Sequence, residues 1–318
     1  MAGWDFSILW AAARALIEGQ DVYTVTAFFY PLPVIYLLAP LGLLPMGTAL
    51  AAWLAINFAL LVAAFRRAFW VWLLYVPMLH LFSSGQVELV LWGLEHAIKS
   101  GWRGALFAAL ITLKLQTALI LLPYHLVGWL RNDRAMLIRF GVCTSVIWGL
   151  PLLWRPGWIG DWLRARGDSS FFEFAPNAPG VFTLLRISDG LLIPLVIAAV
   201  VIFVWGMFQD KATARAAAML ASPVGLFYTT IQLAGCAPAW LLVPVSIGAT
   251  ALTFATNTFI PFAALPLAVI GYQAWHKRAV AGEPRNSETH NTQAQRKAGG
   301  SRPTPTKADQ LRGSSDEK

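Results

Sequence analysis

The chain has 318 residues, of which 57% are apolar and only 13% charged, with a formal net charge of +8. A soluble domain carries roughly 25% charged residues, so the composition excludes an ordinary soluble globule and points to a chain built for a lipid bilayer. The basic residues sit mostly in short segments between apolar runs, which suits anionic headgroups and leaves no continuous basic face for nucleic acid.

In chain order, residues 1–30 read as an extracytoplasmic interfacial region. Phe6, Leu9, Trp10, Ala13, Leu16 and Ile17 recur at helical spacing with Arg14 and Glu18 among them, and Gly19 ends the run. An amphipathic helix over 6–18, lying along the membrane surface, is expected. Tyr30-Pro31-Leu32-Pro33 opens a transmembrane bundle over 31–278. About ten apolar spans are expected there, at 31–44, 48–65, 68–83, 86–98, 104–130, 134–153, 188–208, 213–231, 239–254 and 258–276. Several fall short of the roughly 20 residues of a straight crossing, so they are expected to be half-helices or helices shielded by neighbours. The 104–130 segment is expected to break near Lys114. The long loop 154–187 carries Arg155, Arg164, Arg166, Asp168, Asn177 and Arg186, and its Phe171-Phe172-Glu173-Phe174 run is expected to lie ordered over the membrane. Residues 279–318 hold almost no large apolar side chains and are expected to be a disordered polar tail.

The fold class is therefore all-α, a polytopic transmembrane helical bundle with an interfacial amphipathic helix at the N-terminus. Arg131, Arg134 and Arg139 favour a cytoplasmic 131–139 loop, and Lys211 with Arg215 a cytoplasmic 209–215 loop. Asp5 and the 154–187 loop then fall on the other, extracytoplasmic side of a multi-pass protein of the cell membrane, bacterial by expectation.

Asp5 is the acidic residue just ahead of the first span. It reads either as a helix N-cap or as a general base taking a proton from a substrate hydroxyl. Lys114 stands among leucines and isoleucines: either it snorkels to an interface, or its ammonium faces a polar cavity, where it could neutralise an anion. Arg186 and Asn177 close the long loop, as anchors of the following helix or as contacts to a ligand; an Arg fork can donate two hydrogen bonds to an anion. Gln86 is a turn residue or an amide that hydrogen-bonds a substrate in a cavity, and Tyr30 an interfacial aromatic or a substrate contact. Glu88 and Glu95, seven apart, share a helix face and either pair with Lys99 or Arg103 or line the cavity. His80, His96 and His125 lack metal-ligand spacing, so no metal site is expected. Cys143 and Cys236 lie inside apolar segments and are expected to pack as small hydrophobes. Gly-rich phosphate loops and serine-nucleophile motifs do not occur.

The order Ala-Ala-Arg-Ala-Leu-Ile-Glu-Gly-Gln-Asp-Val-Tyr, Tyr-Pro-Leu-Pro, Ala-Pro-Leu-Gly-Leu-Leu-Pro, Ser84-Gly85-Gln86-Val87, Leu113-Lys114-Leu115-Gln116, then Asn177 and Leu184-Leu185-Arg186 resembles glycosyltransferase family 87 over about residues 4–275. The resemblance implies a GT-C-like membrane fold similar to that of the polyprenyl-phosphate-mannose-dependent mannosyltransferases. It implies an inverting transfer of a hexose, mannose foremost, from a lipid-linked donor to a lipid or glycan acceptor, without a further cofactor. In that reading Asp5 is the catalytic base, and Tyr30, Gln86, Lys114, Asn177 and Arg186 bind substrate. It also implies a further transmembrane helix ahead of Asp5. Departures are Tyr-Pro-Leu-Pro where the family often has Tyr-Pro-Pro, Glu88 where an Asn is common, and Asn-Ala-Pro-Gly where Asn-Gln-Ser is common. A transporter or flippase of lipid-linked sugars, or an inactive scaffold, are the competing classes; the paired inverted repeats common in transporters are not evident.

Overall fold

Apolar runs of this length satisfy their own backbone groups away from water most readily as helices. The computed structural model of the protein describes residues 3–165, 177–224 and 226–282, and no strand forms among them. Arg166, Asp168, the Phe171–Phe174 run and residues 283–318 lie outside the described residues.

Helix α1 (Trp4–Ile17) buries Phe6, Leu9, Ala12 and Ala13. Gly19, at φ 72°, turns the chain out of it. Helix α2 (Leu32–Gly42) starts beside Pro31 and Pro33, whose missing N–H groups cost nothing in a first turn. A Cβ on Gly42 would stand 2.8 Å from the Ala13 carbonyl carbon, so glycine there lets α1 and α2 meet backbone to backbone.

Helix α3 (Met46–Phe65) runs through a short 3-10 turn into α4 (Phe69–Leu73). Then come α5 (Val76–Ser84), α6 (Glu88–His96), α7 (Trp102–Ile111), α8 (Leu115–Leu121), α9 (Pro123–Asn132), α10 (Arg134–Gly149) and α11 (Trp158–Ala165). The remaining helices are α12 (Leu192–Gly206), α13 (Lys211–Ala221), α14 (Ala239–Thr256) and α15 (Ala264–Gly282). The chain divides into two units, residues 1–274 and 275–318; of the second, the described residues 275–282 are the C-terminal part of α15. Helical structure thus continues past the 278 boundary read from the sequence.

Three stretches among the described residues are long and apolar enough to cross a bilayer: Met46–Leu73, Arg134–Leu153 and Ala239–Thr256. Leu32–Gly42, Trp102–Ile111 and Leu192–Gly206 are apolar but shorter. Three of the other expected spans are interrupted for local reasons, and 86–98 holds only the nine-residue α6. The 68–83 run breaks at Leu74-Tyr75, because Pro77 in the first turn of α5 has no N–H to continue a helix arriving from α4, and 213–231 stops at Ser222-Pro223, where Ser222 is extended as the residue before a proline prefers. The 104–130 run breaks twice, at Lys114 and ahead of Pro123. The short helices α5, α6 and α8 are shielded by one another, by the longer α14 and by the 3-10 turn Phe227–Leu233, sharing a core with Tyr75, Met78, Leu89, Ile120, Ile231 and Leu242 at its centre. Cys143 and Cys236 are free thiols.

Candidate active site

A cavity of about 260 Å³ opens where six separate segments meet, near the lower end of the ligand-pocket range of ~300–1,000 Å³. Its polar lining includes Asp5, Gln86, Lys114 and Gln116; rings come from Trp4, Phe29, Tyr30, Trp162 and Tyr228.

Asp5 sits in the first turn of α1, where the helix dipole favours a carboxylate. It is not the N-cap. That position is Gly3, in a left-handed conformation with φ 76°, and no side chain caps the helix. Asp21, Asp133 and Asp210 do cap, each accepting a backbone N–H. The Asp5 carboxylate makes no hydrogen bond or ion pair to any described residue, and it lines the cavity.

Gln86 reaches the same cavity through a tight approach. Gly85 ends α5 at φ 77°, where glycine is unstrained. A Cβ at Gly85 would lie 2.6 Å from the Phe6 Cβ, and the Gly85 carbonyl accepts the Trp53 indole N–H at 2.9 Å. The neighbours of Phe6 and Gly85, Asp5 and Gln86, are thereby brought to one wall.

Lys114 occupies the break between α7 and α8. Its backbone is extended, φ −120° and ψ 89°, while its carbonyl accepts the first N–H bonds of α8. The Thr112 hydroxyl donates to the Ala109 carbonyl and accepts the Trp148 indole N–H at 2.9 Å, tying this break to α10. Lys114 does not snorkel: it is 6% exposed, with Nζ 2.5 Å from Glu88 Oε1. Nζ also donates to Gln86 Oε1 at 3.2 Å and lies 5.2 Å from the Tyr228 ring and 5.7 Å from the Tyr30 ring. Glu88 thus pairs with Lys114, not with Lys99 or Arg103.

Gln116, Trp162 and Tyr228 were not singled out by sequence reasoning. Gln116 stands two residues beyond Lys114 within the same motif, and Tyr228 is held by His80, whose ring stacks on it at 5.6 Å. An aromatic–threonine cluster, Phe227-Tyr228-Thr229-Thr230, inside an apolar run was the available signal. Asn177 and Arg186 behave otherwise. The Arg186 guanidinium donates to Asn177 Oδ1 and, at 3.1 Å, to the Asn257 carbonyl, and neither residue lines the cavity. The site therefore gathers Asp5, Tyr30, Gln86 and Lys114 of the six candidates.

One wall is held by a charged clamp. Arg155 contacts Asp21 at 2.9 Å and Asp161 at 2.7 Å and lies over the Tyr23 ring; the Trp162 indole donates to the Phe29 carbonyl at 2.9 Å. Hydrogen bonds from Arg155 hold the Asp161 carboxyl below its usual range, and burial pushes the Tyr23 phenol up. A depressed carboxylate contributes stability above its unfolded pKa and loses it only as pH falls through the lower folded value. The clamp should thus be intact across neutral pH. Arg155→Ala is expected to cost no more than about 1 kcal/mol, as partly exposed ion pairs do. It should still raise KM for a cavity substrate several-fold, equally at about pH 6 and about pH 8, as steady-state kinetics would read.

At the other end of α6, Glu95 is buried and enclosed by Lys211 at 2.6 Å, Arg215 at 2.6 Å and His125 at 2.7 Å. Among the described residues no three His, Cys, Asp or Glu side chains are grouped to hold a metal ion.

A model of glycosyltransferase family 87 matches residues 28–231, more than half of the chain. The matched segment contains Tyr30, Gln86, Lys114 and Tyr228; Asp5 precedes it. No curated protein and no solved structure matches the chain.

Proposed function

The chain belongs to glycosyltransferase family 87, and from that premise we propose that its cavity moves a hexose from a polyprenyl-phosphate carrier to a hydroxyl of a lipid or glycan acceptor. Membership makes it a membrane glycosyltransferase; the donor class, the preference for mannose and the stereochemistry are the proposal. The observation that carries it is the unpaired Asp5 carboxylate in a cavity walled by aromatic rings and Lys114. Rings suit the apolar faces of a sugar, and a free carboxylate suits an acceptor hydroxyl.

The acceptor oxygen attacks the anomeric carbon as its proton passes to Asp5. The bond from that carbon to the phosphate oxygen breaks, and its electron pair stays on the phosphate, near Lys114. Asp5 is the one acidic residue among the described lining residues, and a base without a partner nucleophile fits a single displacement with inversion.

The arrangement along α6 supports an extracytoplasmic cavity. Its N-terminal end holds Glu88 beside Lys114, and its C-terminal end holds Glu95 beside Lys211, about 10 Å further along at 1.5 Å per residue. The Arg131 guanidinium lies over the Phe208 ring at 5.0 Å, which draws the 131–139 and 209–215 loops together. With that basic end cytoplasmic, the cavity faces the extracytoplasmic side of a multi-pass protein in the cell membrane.

The test is transfer by the purified protein in lipid nanodiscs, given polyprenyl-phosphate mannose carrying a radiolabelled sugar and a glycolipid acceptor. A labelled product of inverted anomeric configuration by NMR is the expected result. Transfer from nucleotide sugars but never from the lipid-linked donor would overturn the donor assignment.

A further inference from the structure

The lysine that faces the cavity has its charge already matched. Glu88 does not line the cavity; it stands behind Lys114, with Oε1 2.5 Å from Nζ. Nor is Glu88 free to turn away when another anion arrives. Its Oε2 accepts the Thr117 hydroxyl at 2.8 Å and the Gln232 amide at 3.0 Å, and the same amide donates to the Glu88 carbonyl. Gln232 is itself fixed, because its carbonyl accepts from the Arg215 guanidinium at 2.9 Å. Both Glu88 and Gln232 are wholly buried, so this carboxylate is a permanent neighbour of whatever binds Lys114.

We propose that Glu88 is a positioning residue that sets donor against product: it shares Lys114 with the carrier phosphate, so that the cavity holds the donor's phosphodiester and expels the phosphomonoester left after transfer. The inference rests on the lipid-linked donor of the preceding section. A phosphodiester carries one negative charge. When the bond to the anomeric carbon breaks and the electron pair remains on oxygen, the phosphate becomes a monoester of about −1.5 to −2 at pH 7. A lysine shared with a fixed carboxylate balances that added charge poorly, and salt screens little at a buried pair. A lysine without Glu88 would hold the monoester more tightly than the diester, and product would clog the site.

The experiment uses the protein in nanodiscs and two probes, a polyprenyl monophosphate and the methyl phosphodiester of the same polyprenol, with affinities measured at pH 7.5. The wild type should bind the diester at least as tightly as the monophosphate. Glu88→Gln keeps an acceptor for Thr117 while removing the charge. It should tighten the monophosphate about tenfold and the diester only about threefold, in proportion to their charge. In turnover, KM for the donor and kcat should fall together, the split expected of slow product release; a structural lesion would raise KM or leave it unchanged. A wild type that binds the monophosphate more tightly than the diester overturns the inference even if the variant does not fold. A Glu88→Gln protein that tightens both probes equally, or neither, also overturns it. If neither probe binds the wild type, the lipid-linked donor itself falls; binding of both in the wrong order removes this inference alone.

Discussion

Asp5→Asn should lower the rate of hexose transfer by roughly 10²- to 10⁴-fold, the usual cost of losing a general base. The protein should meanwhile melt within a few degrees of the wild type. The substitution keeps the shape of the side chain and removes only its capacity to take a proton. There is no capping hydrogen bond to lose, because Gly3 occupies the N-cap and the Asp5 carboxylate bonds to no described residue. What disappears from the folded state is the attraction of a carboxylate for the helix N-terminus, worth about 0.3–1 kcal/mol. Rate and stability are thus separated by one change. Single-turnover transfer beside thermal unfolding in the same nanodiscs reads both. Transfer at near wild-type rate by folded Asp5→Asn protein would remove Asp5 from the chemistry.

The largest effect on stability is expected at the other end of α6. Glu95→Ala leaves Arg215, 4% exposed, without its carboxylate in the interior, together with His125 and Lys211. Removing one partner of a buried pair typically costs about 3–5 kcal/mol, because the remaining charge is stranded in a low-dielectric setting. The Arg215 bond to the Gln232 carbonyl, 2.9 Å, compensates only in part. Replacing the pair together, as Glu95→Leu with Arg215→Met, should recover most of the loss, since two charges and their desolvation disappear at once. Thermal unfolding of the single and double variants in detergent tests this. A single variant as stable as the wild type would mean that water or lipid headgroups already solvate the cluster. Since Gln232 links Arg215 to Glu88, the single variant should also disturb the Lys114 pair.

The sequence by itself determined the helical class, the membrane setting and the break at Lys114, and it marked Asp5, Tyr30, Gln86 and Lys114, which line one cavity, as candidates. These follow from local properties. Composition and apolar run length are set residue by residue, and a Tyr-Pro opener, a Gly-Gln turn and a lysine among leucines are each visible within a few positions. The family model, matching residues 28–231, agrees with that reading of class. Span number was not determined in the same way, because apolar content alone does not separate a helix that crosses from a short helix buried by its neighbours. Val76-Pro77 and Ser222-Pro223 decide that locally, and packing of α5, α6, α8 and α14 decides the rest.

Only the tertiary structure decided the partners. Glu88 and Lys114 are 26 positions apart, and Glu88 and Gln232 are 144 apart. Nothing in the spacing of Glu88 and Glu95 on one helix face tells that one would meet Lys114 and the other Arg215; the elements that supply those cations pack against opposite ends of α6. Nor could sequence separate Asp5 as a cap from Asp5 as a free carboxylate, since an aspartate near a helix start suits both. The choice was made by Gly3 taking the left-handed cap position and by Gly85 letting Phe6 approach, which turns the first turn of α1 toward the cavity. Arg186 and Asn177 show the same limit: expected as helix anchors or substrate contacts, they instead meet each other near Asn257, away from the cavity. Charge type is written in the sequence; which charges face each other is a property of packing.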